Sequence, residues 1–282
     1  MIKGEGLSVY EKEYMKTYER YISAFEEALN KVIENYRDHE LFVDFKNCIR
    51  GGKRLRPILL LISNEVCGGG KEDIMPAAVA IELLHTVSLI HDDIIDEELN
   101  RRGRAPLYIS SGLKSAILSA DYAFSIILDL SSRYRDSEVA RVLAKAASEM
   151  SSGELKELKI IEKRKAISLK EYLEIISLKT ASLFRAATYL GALLSKNAEK
   201  YAKELEAFGY NLGMAYQIRD DLRDLDKEKE LTSLLNVNNK AKVLIDEMKK
   251  YVRLALEKLD RIPQCPAILL LRKLVTDLVA FI

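Results

Sequence analysis

The sequence LLHTVSLIHDDIIDEELNRRG, from Leu83 to Gly103, combines a helical repeat of apolar residues with a row of polar ones. The row advances in steps of three or four residues through His85, Ser88, Asp92 and Asp96. In a helix this spacing places side chains on one face. Asp93 adds a third carboxylate, and carboxylates this close repel one another unless a cation lies between them, for which Mg²⁺ with its oxygen ligands is suited. The stretch therefore predicts an amphipathic helix that carries a magnesium clamp.

The same device recurs in YQIRDDLRDLD, from Tyr216 to Asp226. Its polar side chains stand at the same steps, namely Gln217, Asp220, Asp221 and Asp224. Two such clamps on two helices can frame a single site. The candidate metal ligands are the six aspartates Asp92, Asp93, Asp96, Asp220, Asp221 and Asp224.

Helical patterning extends along the whole chain. Only five prolines and thirteen glycines interrupt 282 residues, and the segments between them repeat apolar residues every three or four positions. No composition shift marks an interdomain linker. We therefore expect an all-α fold, with residues 1–282 forming one large domain of about ten helices around a central cavity.

The composition excludes several classes of partner and site. Charged residues make up 31% of the chain but leave a net charge of only +1, so nothing points to nucleic acid or an anionic membrane surface. Cys48, Cys67 and Cys265 are scattered, which favours neither a disulfide framework nor a zinc site. The first twenty residues lack the apolar core of a secretion signal, and no stretch of about 20 residues is free of charge. These features predict a cytoplasmic protein without a transmembrane segment.

Basic residues cluster at three places. RGGKRLRP, residues 50–57, and NRRGR, residues 100–104, are basic turns that could surround a phosphate or could simply be solvated. The arginines of the second turn could also neutralise the neighbouring aspartates. Lys179 and Thr180 lie inside an apolar helix, where an ammonium needs a partner and a diphosphate would serve. By contrast, the charged run ELKELKIIEKRK, residues 154–165, is expected to be a solvated helix face.

Carboxylate clamps, basic turns and apolar helices together suggest one chemistry. Metal ions and cations around an oxyanion stabilise a departing diphosphate. When a diphosphate leaves an apolar tail, a carbocation remains, and a dry hydrocarbon cavity protects it from water.

Four motifs in order carry a resemblance to a known family. They are GGKR-x-RP at 51–57, HDDIID at 91–96 with RRG at 101–103, KTA at 179–181, and YQIRDDLRD at 216–224. The region from about 45 to 226 thus resembles the trans-isoprenyl diphosphate synthases, the polyprenyl synthetase family, and among them those of geranylgeranyl diphosphate synthase type.

The resemblance implies a reaction and its requirements. An allylic diphosphate (dimethylallyl, geranyl or farnesyl) ionises, the double bond of isopentenyl diphosphate attacks the cation in a head-to-tail 1'-4 condensation, and a proton is lost. It further implies an all-α isoprenoid synthase fold, two or three Mg²⁺ ions in each active site, and a homodimer.

Matching positions give the roles that the resemblance implies. The catalytic group would be Asp92, Asp96, Lys179 and Asp220, with Asp93, Asp221 and Asp224 supporting the metal ions. The allylic diphosphate would be held by Arg101, Lys179, Thr180 and Gln217. Isopentenyl diphosphate would be held by Lys53, Arg56, His85 and Arg102.

Product length can be predicted from the first clamp. The growing tail extends back along the helix past Ser88, Val87 and Leu84, and one helical turn of about 5.4 Å matches roughly one isoprene unit. Similar short-chain synthases carry a bulky aromatic residue at the positions of Val87 and Ser88. A product of about C20 or longer is therefore expected, with its end set by Phe124 or Tyr122.

The sequence departs from the family after the second clamp. DLDKEKELTSLLNVNN, from Asp224 to Asn239, lacks the glycine-rich loop that closes over the site in similar synthases, and Lys227 or Lys229 would have to replace its lysines. Three other functions remain to be weighed: a class I terpene cyclase, a His-Asp phosphohydrolase, and a non-catalytic or regulatory subunit of a heteromeric prenyl synthase. The all-aspartate second clamp argues against the terpene cyclase, and the shortage of histidines argues against the phosphohydrolase. The presence of both clamps argues against the regulatory subunit.

Overall fold

A computed structural model describes the backbone of residues 9–225 and 231–279 and the side chains of 15–225 and 231–277. Within these ranges the chain forms twelve α-helices and no strand, with three isolated β-bridges. The helices are α1 (Val9–Tyr36), α2 (Glu40–Ile49), α3 (Leu55–Val66), α4 (Met75–Ile95), α5 (Leu107–Ser110), α6 (Leu113–Ser132), α7 (Glu138–Glu162), α8 (Leu169–Ile176), α9 (Ser182–Leu193), α10 (Ala198–Arg223), α11 (Lys240–Leu259) and α12 (Pro266–Val279). The predicted all-α class is confirmed, and the described ranges hold slightly more helices than the ten expected.

Local sequence signals explain several helix boundaries. Ser168 and Glu171 form a capping box, in which the Ser168 hydroxyl accepts from the Glu171 N–H while the Glu171 carboxylate accepts from the Ser168 N–H. The Asn239 side chain caps α11 by accepting from the Lys242 N–H at 3.2 Å. A proline in the first turn begins α4, where the missing N–H has no helical partner to lose.

Helix α4 is the central element of the bundle. It packs against α1, α2, α3, α6, α7 and α9, and its apolar residues belong to one continuous buried cluster that extends from α1 to α12. A helix surrounded in this way keeps its polar groups only where they face a cavity or a partner. The end of α4 at Ile95 therefore fixes where the first aspartate clamp can lie.

Helices α8 and α9 are joined without a break by a π-helical turn, Ser177–Ala181. Such turns inside α-helices are frequent at functional sites. Two glycines let neighbouring helices approach this turn closely. A Cβ on Gly153 of α7 would lie 2.6 Å from the backbone nitrogen of Lys179, and one on Gly213 of α10 would lie 2.7 Å from Cα of Ala181.

The described residues contain no helix that is both long enough and apolar enough to cross a membrane.

Candidate active site

The three aspartates of the first clamp do not all lie on the same side of helix α4. Asp92 lines an apolar cavity, and Asp96, the C-cap of the helix, lines a polar cavity beside it. Asp93 lies on another face, where it is buried and accepts from the Nε–H of Arg101 at 2.5 Å. The structure therefore brings Asp92 and Asp96 together but separates Asp93 from them. The sequence left open whether the arginines of the second basic turn neutralise neighbouring aspartates, and Arg101 does so by binding Asp93.

The apolar cavity has a volume of about 270 Å³ and lies between α4, α6 and α7. Its walls include all four residues expected to control product length, namely Leu84, Val87, Ser88 and Phe124. Asp92, Glu154 and Lys179 lie at its polar end. Tyr122, the other candidate for the end of the cavity, does not line it but stacks on His39 with ring centroids 3.9 Å apart. That part of the prediction is wrong, because Tyr122 faces α1 and α2 rather than α7.

The polar cavity, of about 710 Å³, adjoins the apolar one, and the two share the lining residues Ile95, Glu154, Leu158 and Lys179. Lys179 projects from the π turn between Glu154 and Glu157, each with an oxygen 2.7 Å from its Nζ. The solvated face predicted for residues 154–165 is therefore wrong for these two glutamates. They reach the half-buried ammonium of Lys179 because Gly153 lets α7 pack directly on the π turn.

The charges around Lys179 shift the titration of the site. Burial alone would lower the pKa of Lys179, but the charges of Glu157, Asp92 and Glu154 raise it overall. Burial, together with the charges of Glu154 and Asp96 and a hydrogen bond with Glu154, raises the pKa of Asp92 to about 7, against the attraction of Lys179. The carboxylates outnumber the cations on this side of the site, so it favours the entry of positive charge.

The second clamp lies on α10 and is joined to the π turn by hydrogen bonds. Thr180 Oγ1 donates to Gln217 Oε1 at 2.6 Å, and Gln217 Nε2 donates to Asp221 Oδ1 at 2.7 Å. The Tyr172 hydroxyl donates to the other oxygen of Asp221 at 2.5 Å. Asp220 instead accepts from the guanidinium of Arg219, while Asp224 ends the helix as its C-cap.

The basic turns form the opposite half of the site. Arg56, Arg102 and His85 lie close enough that the charges of both arginines act on the imidazole. Burial, followed by these charges, lowers the pKa of His85 well below its usual range, so the ring is neutral. Within the described residues, neither Arg56 nor Arg102 has a carboxylate within 4.0 Å, and Nε of Arg56 is buried without a hydrogen-bond partner.

The basic turn itself is held by a different arginine. Arg54 is buried at the start of α3 with a φ of 52°, and it binds Glu26 at 2.7 Å and Glu82 at 2.8 Å. This residue, which sequence analysis did not separate from its basic neighbours, is neutralised by α1 and α4. Lys53 next to it is exposed. The turn thus keeps Arg54 for structure and leaves Arg56 for a ligand.

A row of stacked side chains connects the basic half with the second clamp. The Arg56 guanidinium lies 4.7 Å from the Phe184 ring centroid, that ring lies 5.2 Å from Tyr216, and the Arg219 guanidinium lies 4.4 Å from Tyr216. Arg219 in turn binds Asp220. On the other side, Glu157 acts electrostatically on both Asp96 and Tyr172, so the two clamps border one region.

The donor set of this region suits a hard cation. Carboxylate oxygens are the ligands that Mg²⁺ prefers, and the ion usually takes further oxygens from water or phosphate. Among the described side chains, no three His, Cys, Asp or Glu residues lie close enough to hold an ion by themselves. An ion here would therefore be completed by oxygens of a bound ligand. Lys227 and Lys229, the expected replacements for the lysines of the closing loop, lie outside the described residues.

Comparison with known proteins gives concordant matches. The sequence model of the family described as Polyprenyl synthetase matches residues 43–233. A geranylfarnesyl diphosphate synthase of Methanosarcina mazei is 35% identical over 234 residues, which are 78% of each chain. A geranylgeranyl diphosphate synthase of the same organism is 33% identical over 210 residues, covering 72% of this chain and 64% of the relative. The crystal structure of geranylgeranyl pyrophosphate synthetase from Pyrococcus horikoshii superimposes with a TM-score of 0.79 at 28% identity, covering 95% of this chain and 99% of the other.

Proposed function

Because the chain belongs to the polyprenyl synthetase family, we propose that it condenses isopentenyl diphosphate head-to-tail with an allylic diphosphate, in a magnesium-dependent reaction. The product is an all-trans polyprenyl diphosphate of about C20 or longer, and diphosphate is released. The trans-prenyltransferase class predicted from the sequence is confirmed by the family. The observation that carries the proposal is the pairing of an acidic half, above an apolar cavity, with a basic half whose arginines Arg56 and Arg102 lack carboxylate partners within the described residues.

Isopentenyl diphosphate is assigned to the basic half. The buried Nε of Arg56 has no hydrogen-bond partner, which is costly, and a diphosphate supplies paired oxygens that match the planar donors of a guanidinium. Arg56 and Arg102 would bind the diphosphate, neutral His85 would add a hydrogen bond, and exposed Lys53 would close the outer side. The row from Arg56 to Asp220 fixes the guanidinium against an aromatic ring, which limits its motion.

The allylic diphosphate is assigned to the acidic half. Asp92, Asp96 and Asp220 would hold Mg²⁺, supported by Asp221 and Asp224, while Lys179, Thr180, Gln217 and Arg101 would bind the diphosphate itself. Asp93, which faces away from Asp92 and Asp96, would instead hold Arg101. The ions would neutralise charge on the departing diphosphate. Two of these cations are bound to carboxylates. Arg101 is bound to Asp93, and Lys179 is bound to Glu154 and Glu157.

The chain's own residues then direct the bond changes. The carbon–oxygen bond of the allylic diphosphate breaks, and diphosphate leaves with the electron pair towards Lys179 and Arg101. The isopentenyl double bond, held by the basic half, forms the new carbon–carbon bond, and loss of a proton restores a double bond. Leu84, Val87 and Phe124 surround the tail with hydrocarbon, which keeps water away from the allylic cation.

A homodimer is proposed from the surface of α5 and α6. Leu113, Ile117 and Leu128 share one face of α6 and are 49%, 46% and 67% exposed, and Ile109 of α5 is 44% exposed nearby. Apolar patches of this kind mark protein interfaces. Ile117→Glu combined with Leu128→Glu should convert the dimer into a monomer in sedimentation equilibrium; an unchanged mass would place the interface elsewhere.

The proposed reaction is tested with the purified chain alone. Protein, Mg²⁺ and labelled isopentenyl diphosphate are incubated with dimethylallyl, geranyl or farnesyl diphosphate, and products are sized by chromatography after removal of the diphosphate. A ladder ending at C20 or beyond supports the proposal. Absence of any prenyl product, in protein that binds both substrates, would favour the alternative of a non-catalytic or regulatory subunit.

A further inference from the structure

Four side chains form an uninterrupted hydrogen-bonded row from the core to the π turn. It begins at the Tyr172 hydroxyl, passes through Asp221 and Gln217, and ends at the Thr180 hydroxyl. We call this row the tyrosine relay. Tyr172 has no solvent exposure, Thr180 is buried next to Lys179, and Gln217 is half-buried.

The relay leaves little freedom to its central amide. Gln217 uses its oxygen to accept from Thr180 and its nitrogen to donate to Asp221, so a flip of the amide would break both bonds. Asp221 receives donors on both oxygens, at 2.5 Å from Tyr172 and 2.7 Å from Gln217. Hydrogen bonds to a charged acceptor are stronger than neutral ones, so the Tyr172 end is the firm one.

The backbone supports the same geometry. Tyr172 lies on α8, one turn before the π segment, and its buried ring fixes the height of its hydroxyl relative to α10. Gly213 of α10 allows Ala181, next to Thr180, to approach the helix that carries Gln217. The two ends of the relay therefore belong to one continuous helical segment, and each end is hydrogen-bonded to a residue of α10.

We propose that the Tyr172 hydroxyl is a positioning group, which through Asp221 holds the Gln217 amide so that the second N–H of its nitrogen is directed to the diphosphate of the allylic substrate; this rests on the proposed function. Tyr172 does not touch the substrate. Its hydroxyl holds Asp221, and Asp221 and Thr180 together hold the Gln217 amide with its nitrogen towards Asp221 and its oxygen towards Thr180. The Thr180 hydroxyl proton is used within the row, and one N–H of Gln217 remains for the substrate.

A purely structural role is the competing explanation, and the chain offers a matched control for it. Tyr134 is also buried, and its hydroxyl donates to the Asp73 carbonyl at 2.7 Å and accepts from the Ala77 N–H at 3.0 Å. Tyr134→Phe removes comparable hydrogen bonds at the other end of α4, far along the chain from both clamps. Any effect specific to the relay should therefore appear in Tyr172→Phe and not in Tyr134→Phe.

The experiment compares both variants with the wild-type protein. Calorimetry measures the Kd for inorganic diphosphate in excess Mg²⁺, steady-state kinetics measure KM for geranyl diphosphate and for isopentenyl diphosphate, and thermal unfolding measures Tm. Tyr172→Phe should raise the Kd for inorganic diphosphate and the KM for geranyl diphosphate about tenfold each. The KM for isopentenyl diphosphate should change less than about twofold. Tyr134→Phe should lower Tm by a similar amount without changing the diphosphate Kd or either KM.

The outcomes separate the relay from the reaction. Equal Tm losses in both variants, with diphosphate Kd and the two KM values unchanged in Tyr172→Phe, would overturn the relay. If Tyr172→Phe does not fold, Gln217→Met interrupts the same row, and an unchanged diphosphate Kd in that variant would overturn it as well. A wild-type protein that forms no prenyl product but shows a relay-dependent diphosphate Kd would refute the proposed function and leave the relay intact.

Discussion

Lys179 and Arg56 are both half-buried cations at the same site, but their surroundings are opposite. Lys179 lies between Glu154 and Glu157, with Asp92 and Asp96 nearby, so carboxylates outnumber it. Arg56 rests on the Phe184 ring, has a buried Nε without a hydrogen-bond partner, and lies beside Arg102 and a neutral histidine. One half of the site has negative charge in excess and the other has positive charge in excess.

This difference teaches how the two substrates are told apart. A diphosphate can enter the basic half directly, since its charge is complementary to Arg56 and Arg102. The same diphosphate is repelled from the acidic half until cations have bound the carboxylates there. The two halves therefore differ in their need for metal, although both bind the same chemical group.

The largest expected effect is in the acidic half. Asp92→Asn removes a carboxylate at the polar end of the apolar cavity and should lower kcat/KM at least about a thousandfold, equivalent to roughly 4 kcal/mol of transition-state stabilisation. Incorporation of labelled isopentenyl diphosphate at saturating Mg²⁺ measures the loss. Glu162→Gln, an exposed change at the end of α7, is the control. Wild-type turnover by Asp92→Asn would remove the acidic half from the mechanism.

A smaller effect is expected in the basic half. Arg56→Met keeps much of the apolar stem but removes the charge, and should raise the KM for isopentenyl diphosphate about 30-fold, as expected for loss of about 2 kcal/mol of charged hydrogen bonding. The KM for the allylic substrate should stay within about threefold. Arg50→Met, which lies in the same turn but on the exposed side, should change neither. If both KM values rise together, the division into two halves is incorrect.

The apolar cavity is expected to set product length with little loss of rate. Val87→Phe fills it close to Asp92 and should shorten the product, whereas Phe124→Ala opens its wall and should lengthen it, each by about one isoprene unit, since one helical turn of about 5.4 Å matches one unit. Tyr122→Ala is the control, because Tyr122 packs on His39 outside the cavity. Chromatography of the dephosphorylated products measures all three. An unchanged ladder in both cavity variants would show that the tail grows elsewhere.

The smallest effect concerns stability without metal. The pKa of Asp92 is raised to about 7 in the folded protein, above its value of about 3.9 in an unfolded chain. Asp92 therefore stays protonated to a higher pH in the folded state than in the unfolded chain. Its contribution to the free energy of unfolding falls as the pH rises from about 4 to about 7. Asp92→Asn removes this penalty, so the metal-free variant should melt a few degrees higher than wild type at pH 8, with a smaller difference at pH 5. Melting curves in a chelator measure this. An equal difference at the two pH values would contradict the raised pKa.

Much of the site was accessible from the sequence because its residues belong to short helical repeats. The steps of three and four residues around Asp92 and Gln217 predicted two helices that carry the carboxylates, and α4 and α10 are those helices. The expected amphipathic form is wrong for α4, because neighbouring helices surround it. Gly209 and Gly213 stand four positions apart in the sequence, and they let α10 pack tightly on α9 and the π turn. Local periodicity carries this information without knowledge of the fold.

Contacts between distant segments could not be obtained in that way. Glu154 and Glu157 look like members of a solvated charged run, and only the packing of Gly153 on the π turn shows that they reach Lys179. Tyr172 has the same limitation, because its partner Asp221 lies 49 positions along the chain. Asp93 was grouped with Asp92 because the two are adjacent, but adjacent helical residues face different directions. A helical-wheel argument applied to that pair could have found the error.

Isothermal titration calorimetry of each substrate, with and without Mg²⁺, tests the central claim most directly. The purified protein is titrated with isopentenyl diphosphate and with a non-hydrolysable allylic diphosphate analogue, first in EDTA and then in excess Mg²⁺. We expect the Kd for isopentenyl diphosphate to change less than about threefold, and the Kd for the allylic analogue to be at least about a hundredfold weaker in EDTA, a difference of roughly 2.7 kcal/mol. Equal metal dependence of the two substrates would contradict the division of the site into an acidic and a basic half.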